Sequence, residues 1–391
     1  MNEFPWGLPL SEEEARARRS PQDTSITPDR VSPAIEGYFR IPAVWVGEAP
    51  NTADVRSLNN HIHHAIIFRK TLKCGIEARV QRDGTFWFDF SVWSGAPIVE
   101  IPGYRNPTGN GPIRVPTFHS DAENRAEQYA VVRAQVMNVH QACLISSESI
   151  VKNRGAMMGF PITSWATEKA LSWTSLRSYT DDSENPHALA RNVLNNSYAI
   201  IRDRPLGRRV IELDVVDHSL DMLDKILQQG QHEVLAIVEA LYMAACQNTE
   251  KRYGEALTLA WSVCEQAIFV MWNEHLEEID SKSDYDRINK ERRKKLSGRD
   301  YTSSIAIESL ELSEKIDRQT YRMLDVCRKA RNNWAHRLKS PKSSESDLCL
   351  RVAEKMVQQV FRVPIRLQYH GRGGVPQWPS WMWHEVKQHI G

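Results

Sequence analysis

Residues 250–279 read EKRYGEALTLAWSVCEQAIFVMWNEHLEEI, and this stretch decides the fold of the C-terminal half. Its apolar side chains recur three or four residues apart, which is the period of an amphipathic α-helix. The apolar stripe comprises Tyr253, Leu257, Trp261, Cys264, Ile268 and Met271. A helix of this length buries such a stripe against other helices. The sequence therefore predicts a helical bundle around this segment.

Helical periodicity also marks the segments on both sides of this helix. Residues 232–247 precede it, and residues 313–331 and 347–367 follow it. Several helices joined by short connections are typical of a bundle. We therefore predict an all-α domain over residues 231–391.

The N-terminal half shows the two-residue period of β-strands instead. Apolar and polar residues alternate over residues 76–81 and again over 86–91, with the turn pair Asp83-Gly84 between them. This pattern predicts a β-hairpin. Helical spacing returns over residues 121–147, and a strand precedes a short helix within residues 209–228.

These patterns together predict an α+β fold with three parts. Residues 1–35 are polar and contain several prolines, which indicates a flexible N-terminal arm. Residues 36–230 are predicted to form a mixed domain of helices and strands, in which we recognise no catalytic or nucleotide-binding motif. Its role is predicted to be sensing or regulation, and the helical bundle follows it.

The composition is that of a folded protein in a reducing compartment. The chain has 391 residues and a formal net charge of +1, which excludes a uniformly basic protein that coats nucleic acid. The cysteines are scattered without a C-x-x-C pair, which argues against a disulfide scaffold and a thiolate zinc site. We find no apolar run long enough for a membrane span and no signal peptide, and we expect a cytoplasmic protein without a membrane partner.

Charge is segregated within the helical half. Residues 231–280 carry nine acidic and two basic side chains, whereas residues 281–340 carry sixteen basic and nine acidic ones. The basic residues concentrate in two clusters, at 290–299 and 328–339. Such clusters attract phosphate, although a solvated helix surface is the more common explanation of any single charge run.

The second basic cluster contains RKARNNWAHR, residues 328–337. Its R-x-x-x-x-H pattern occurs three times in the chain, so the spacing alone carries little information. Only the third pair, Arg331 and His336, lies at the end of a predicted helix and has an asparagine, Asn332, directly after the arginine. Residues five apart point in different directions on a regular helix. If the helix ends or tightens here, both side chains can reach one surface.

RNNWAH at a helix end resembles the signature of HEPN domains, a family of helical ribonucleases found in toxins and antiviral systems. The segment YGEALTLAWSVCE, residues 253–265, is similar to the second-helix segment of the Apea-like HEPN group. The resemblance covers roughly residues 232–370 and leaves the N-terminal half unassigned.

The resemblance implies an endoribonuclease that needs neither a metal nor a cofactor and that acts on RNA as a homodimer. It implies that His336 is the general acid or base, that Arg331 stabilises the phosphate and that Asn332 hydrogen-bonds the phosphate or orients His336. An imidazole suits the first role because it exchanges a proton near neutral pH, and a guanidinium suits the second because it forms paired hydrogen bonds with phosphate.

Further residues are assigned to the same site. The expected substrate-binding residues are Arg328, Lys329 and Arg337. Glu265 on the long helix is a candidate orienting partner, and an ion pair with Arg328 or Arg331 is its simpler role. By resemblance, the biological setting is anti-phage defence by abortive infection, or toxicity. We place the control of such an enzyme, by a phage-derived trigger, in the N-terminal domain by elimination.

Other interpretations remain open at this point. The bundle has a non-catalytic alternative, as a HEPN dimerisation or nucleotide-binding module, in which His336 is an ordinary surface histidine. A metal nuclease is another alternative, because His61 and His63 have the spacing of two ligands on one strand face. No third ligand is identifiable from spacing, so we predict no metal site.

Overall fold

The computed structural model describes residues 35–40, 43–49, 65–96, 121–153, 171–172, 208–229, 232–282, 288–296 and 302–367, together with Met158 and Ile162. Strands lie in the N-terminal part and helices follow in the C-terminal part, which confirms the predicted α+β class. The strands are β1 (Ile35–Phe39), β2 (Val44–Val46), β3 (Ile66–Thr71), β4 (Glu77–Gln81), β5 (Thr85–Asp89), β6 (Leu171–Ser172) and β7 (Arg209–Ile211). The helices are α1 (Asp121–Lys152), α2 (Leu213–Gln228), α3 (His232–Thr249), α4 (Tyr253–Ser281), α5 (Lys290–Leu296), α6 (Ser303–Leu312), α7 (Arg318–Arg337) and α8 (Ser343–Phe361).

The larger sheet has the strand order β3-β4-β5-β1-β6, and its neighbouring strands are antiparallel. The predicted hairpin is confirmed, since Val80 of β4 pairs with Phe86 of β5 across the Asp83-Gly84 turn. Gly84 has a φ of +89°, a conformation that suits glycine because it has no Cβ. Strands β2 and β7 form a separate parallel pair.

The inner strand β1 is a feature that the alternation pattern does not predict. It lies between β5 and β6, and Trp87 of β5 packs against Gly37 of β1. A Cβ at residue 37 would lie 2.6 Å from the Trp87 ring, so the glycine makes room for the indole. Trp87 is fully buried as a result, and so are its neighbours Phe86 and Phe88.

Helix α1 packs between the sheet and α2. His140 of α1 lies against the rings of Phe86 and Phe88, with ring centroids 5.1 Å away in both cases. Its Nδ1 is 2.8 Å from the hydroxyl of Tyr38 on β1, and its Nε2 is 3.2 Å from the hydroxyl of Ser219 on α2. One histidine therefore connects three layers of the N-terminal part.

Helices α3, α4, α7 and α8 form an up-and-down bundle. Lys315, just before α7, pairs with Glu278 near the end of α4, while Trp334 near the end of α7 lies against Gly254 at the start of α4. Helices α4 and α7 are therefore antiparallel. Helices α5 and α6 occupy the connection between them, which the sequence shows only as a polar and basic linking region.

The core is continuous across the predicted domain boundary at residue 230. Helix α1 contacts α3, and the segment after α8 returns to α1. There the Ser146 hydroxyl donates to the Pro364 carbonyl at 3.0 Å and accepts from the Arg366 N–H at 2.8 Å. The three-part division of the chain remains a prediction. The predicted arm lies outside the described residues except for Ile35, which begins β1.

Candidate functional site

Helix α7 carries the RNNWAH segment and is well defined at both ends. The Asp317 carboxylate caps its start by accepting from the Thr320 N–H at 2.7 Å, and Leu338 ends it with a left-handed backbone at φ 50°. The helix predicted over residues 313–331 extends further, because regular helix continues to Arg337, and it neither ends nor tightens near Arg331. A residue spacing of five then places Arg331 and His336 about 140° apart around the axis and about 7.5 Å apart along it.

Asn332 links the two sides of the helix. The Arg331 Nη1 donates to the Asn332 Oδ1 at 3.2 Å, so the guanidinium bends towards the side of α7 on which Asn332 lies. Asn332 and His336 are four residues apart and therefore neighbours on one helix face. Arg331 therefore contacts Asn332, and Asn332 neighbours His336, although Arg331 and His336 point in different directions.

His336 lies on the outer face of α7. Residues on this face recur every three or four positions, and they are polar from one end of the helix to the other. They are Arg318, Arg322, Asp325, Lys329, Asn332 and His336. The opposite face is buried against α4 and α8 through Leu324, Cys327 and Ala330. His336 is exposed, so its imidazole is open to a ligand or to a second protein chain.

Trp334 positions the segment against the bundle. Its ring lies on Gly254, in the first turn of α4, and a Cβ at residue 254 would collide with the indole. Alanine favours a helix over glycine, so a glycine in α4 needs a packing reason. The Trp334 ring provides that reason. This role of Gly254 is not visible in the sequence, where the residue stands only as one position of the segment 253–265.

Arg328 and Lys329 are tied to one carboxylate. Asp325 accepts from Lys329 at 2.6 Å and from Arg328 at 2.8 Å. The hydrogen bond from Lys329, with a smaller contribution from Arg328, holds the pKa of Asp325 below its usual range although partial burial opposes this shift. Asp325 thus partly neutralises the positive charge of Arg328 and Lys329, which was expected to bind the substrate. Arg337, in the last turn of α7, is exposed.

Glu265 does not form the expected ion pair. Its carboxylate accepts a hydrogen bond from the Ser303 hydroxyl at 3.1 Å, at the start of α6. Among the described residues, neither Arg328 nor Arg331 pairs with it, since Arg328 pairs with Asp325 and Arg331 donates to Asn332. Glu265 anchors α6 to α4 instead.

A cluster of thiols lies beneath the site. Cys264, Cys327 and Cys349 come from α4, α7 and α8, and all three are fully buried. The thiol of Cys349 is the first cause of a raised pKa for Cys327, and burial adds to it. Thiols enclosed in a packed core are out of reach of a substrate, so these three cysteines have a packing role.

The described residues contain no group of three or more His, Cys, Asp or Glu side chains arranged to hold a metal ion. His61 and His63, the alternative metal ligands, lie outside the part of the chain that the structure describes. Within that same part, no helix is long and apolar enough to cross a membrane.

Comparison with family models, curated proteins and solved structures found no match for this chain. The resemblance to HEPN domains therefore depends on the two segments quoted above, residues 253–265 and 328–337. The structure adds one fact about these segments, which is that they touch each other through Gly254 and Trp334.

Proposed function

We propose that this chain is a metal-independent endoribonuclease of HEPN type, with Arg331, Asn332 and His336 as its catalytic residues. One observation supports this proposal most strongly. The two segments that resemble the family are far apart in sequence, and Trp334 packs one onto the other at Gly254. This contact holds the end of α7 in place while His336 stays exposed.

The chemistry follows from the groups present. The 2′-OH of a ribose attacks the adjacent phosphorus, and an imidazole removes the hydroxyl proton. The bond between phosphorus and the 5′-oxygen breaks, and an imidazolium donates a proton to that oxygen. The Arg331 guanidinium balances charge on the non-bridging oxygens, and Asn332 orients it through their hydrogen bond. The products are a 2′,3′-cyclic phosphate and a 5′-hydroxyl.

This reaction favours two copies of the chain. One imidazole cannot be base and acid for the same in-line displacement, because the entering and leaving oxygens lie on opposite sides of the phosphorus. His336 is exposed on the outer face of α7, where a second α7 can approach. We therefore propose a homodimer in which each copy contributes one His336 and one Arg331 to a shared cleft.

The N-terminal part is proposed to control the nuclease. Unrestrained RNA cleavage would kill the host, and α1 is packed directly against α3 of the bundle. A phage-derived trigger that alters the sheet layer can act on the bundle through this contact. The setting that we propose is the cytoplasm, with the enzyme serving in anti-phage defence or as a toxin.

The test is RNA cleavage in EDTA by the wild type and by two variants, His336→Ala and Arg331→Ala. We expect both variants to lose at least about 100-fold in rate, which is the usual contribution of a general acid or base. Arg351→Ala is the matched control, because Arg351 is an exposed arginine on α8, away from the outer face of α7. It should cleave RNA like the wild type.

Two outcomes would count against the proposal. If the dimeric wild type is inert on transfer, messenger and ribosomal RNA, with and without phage extract, the chain is a HEPN dimerisation or nucleotide-binding module. If chelation abolishes cleavage while Arg331→Ala does not, a metal nuclease is the better explanation.

A further inference from the structure

The strongest positive charge in the described part of the chain lies on α5, away from the candidate site. This helix reads KERRKKL over Lys290–Leu296, and it buries no residue. Lys290, Arg292, Lys294 and Lys295 are exposed. Leu296, at the end of α5, packs against the core, whereas these basic side chains face the solvent.

Helix α5 is nevertheless held at a defined place on the bundle. The Trp272 Nε1 donates to the Leu296 carbonyl at 2.9 Å, and the Asp280 carboxylate accepts from the Ile288 N–H at 2.9 Å. These two contacts attach both ends of the segment to the C-terminal half of α4. The basic side chains are thus presented by a fixed scaffold.

The acidic residues of α4 beside α5 neutralise only part of this charge. Glu277 lies 3.6 Å from Arg293, whereas Glu278 is engaged by Lys282 and Lys315 and Asp280 by the Ile288 N–H. Lys290, Lys294 and Lys295 form no ion pair with another described residue. Lys290 and Lys294 lie four residues apart, a spacing at which like charges repel. A bound polyanion would relieve this repulsion.

We propose that α5 binds the phosphate backbone of RNA, as a docking surface separate from the catalytic residues. This inference rests on the proposed function for the identity of the polyanion. Trp272 is about 27 Å along α4 from Gly254, where the RNNWAH segment packs. A single phosphate cannot reach both places, so α5 engages RNA that extends well beyond the cleaved bond.

The experiment measures binding and cleavage separately on the full chain. The binding probe is a fluorescent single-stranded RNA made of 2′-O-methyl nucleotides, which cannot be cleaved because the attacking hydroxyl is blocked. The variant is Lys290→Gln/Lys294→Gln/Lys295→Gln, and glutamine keeps a good helix propensity. The control is Lys73→Gln/Lys225→Gln/Lys251→Gln, since these three lysines are also exposed but lie off α5.

We expect the α5 variant to bind the probe at least about tenfold more weakly and its salt slope to fall by about 2, because each lost contact with a single strand removes about 0.7. The control should bind like the wild type. The α5 variant should also cleave a dinucleotide at the wild-type rate but show a raised KM for long RNA.

Equal affinity and equal salt slope in the α5 variant and the control would overturn the inference. So would loss of binding to phosphatidylserine vesicles with RNA binding unchanged, because the surface would then serve a membrane. The two proposals fail separately. If the wild type never cleaves RNA and the α5 variant still binds the probe more weakly, the docking surface is supported and the proposed nuclease activity is not.

Discussion

The sheet layer and the helical bundle bury different kinds of side chain. Between the sheet, α1 and α2 the structure buries Tyr38, His140 and Ser219 in one hydrogen-bonded chain. Between α4, α7 and α8 it buries leucine, alanine and cysteine side chains. Polar groups away from water are costly to leave unpaired, so the first core depends on exact partners whereas the second depends on volume.

The donor and the acceptor in each hydrogen bond of Tyr38, His140 and Ser219 follow from the bond that Ser219 itself donates. The Ser219 hydroxyl donates to the Val216 carbonyl at 2.7 Å, so its oxygen accepts from the His140 Nε2–H. Nδ1 of the neutral ring then accepts from the Tyr38 hydroxyl. Burial, with the positive charge of Arg40 as the second cause, lowers the pKa of His140 to about 3.

The largest expected effect is at this histidine. His140→Ala should lower the free energy of unfolding by about 3–5 kcal/mol, because it leaves a cavity and removes a partner from two buried hydroxyls. Urea unfolding followed by circular dichroism measures this loss. The wild type should also lose stability as the pH falls from about 6.5 towards about 3, because the unfolded chain takes up a proton that the folded ring refuses. A variant as stable as the wild type would show that the hydrogen bonds of His140 contribute nothing to the free energy of unfolding.

The bundle should respond to pH in the opposite direction, through Glu354 on α8. Its carboxylate accepts from the Leu367 N–H at 2.8 Å, and burial raises its pKa to about 7. Between about pH 4.5 and 7 the folded protein therefore keeps a proton that the unfolded chain has released, and stability falls as the pH rises.

Glu354→Gln keeps the acceptor oxygen and removes the titration. The variant should be more stable than the wild type above pH 7, by about 3 kcal/mol at most, and the difference should vanish below about pH 4.5. Melting temperatures at several pH values test this. A constant difference at every pH would mean that Glu354 is not the titrating group.

The smallest of the three effects is expected at the volume-dependent contact beside the candidate site. Gly254→Ala should cost about 1–3 kcal/mol by forcing the Trp334 ring away, although alanine normally favours a helix. Adding Trp334→Ala should recover part of this loss, and a thermodynamic cycle of the two single variants and the double variant measures the coupling. No coupling between the two sites would show that the indole does not rest on residue 254.

Much of the fold was predictable from local patterns. The hairpin of β4 and β5 follows from alternation around Asp83-Gly84, and the long helices follow from apolar spacing. Strand β1 was not predictable, because its sequence IEGYF is buried along its whole length and does not alternate. Helix α6 was not predictable either, because ten residues within a linking region are too few to show a clear helical spacing of apolar residues.

The candidate site was predictable in its residue types and not in its geometry. Arg331, Asn332 and His336 were identified from the motif, whereas the regular helix that separates Arg331 from His336 and the hydrogen bond that links Arg331 to Asn332 were not. The ties between Asp325 and both Arg328 and Lys329 were not foreseen either, nor was the link from Glu265 to Ser303.

The sequence by itself determined the long helices and the β4–β5 hairpin, where basic residues concentrate and which side chains are available for chemistry at the end of α7. These properties depend on neighbours within a few residues, so periodicity and composition contain them. Only the tertiary structure decided that Trp334 rests on Gly254, that His140 is buried and neutral, and that the lysines of α5 remain exposed. Such properties arise from contacts between residues far apart in the chain, and burial and packing set their energies.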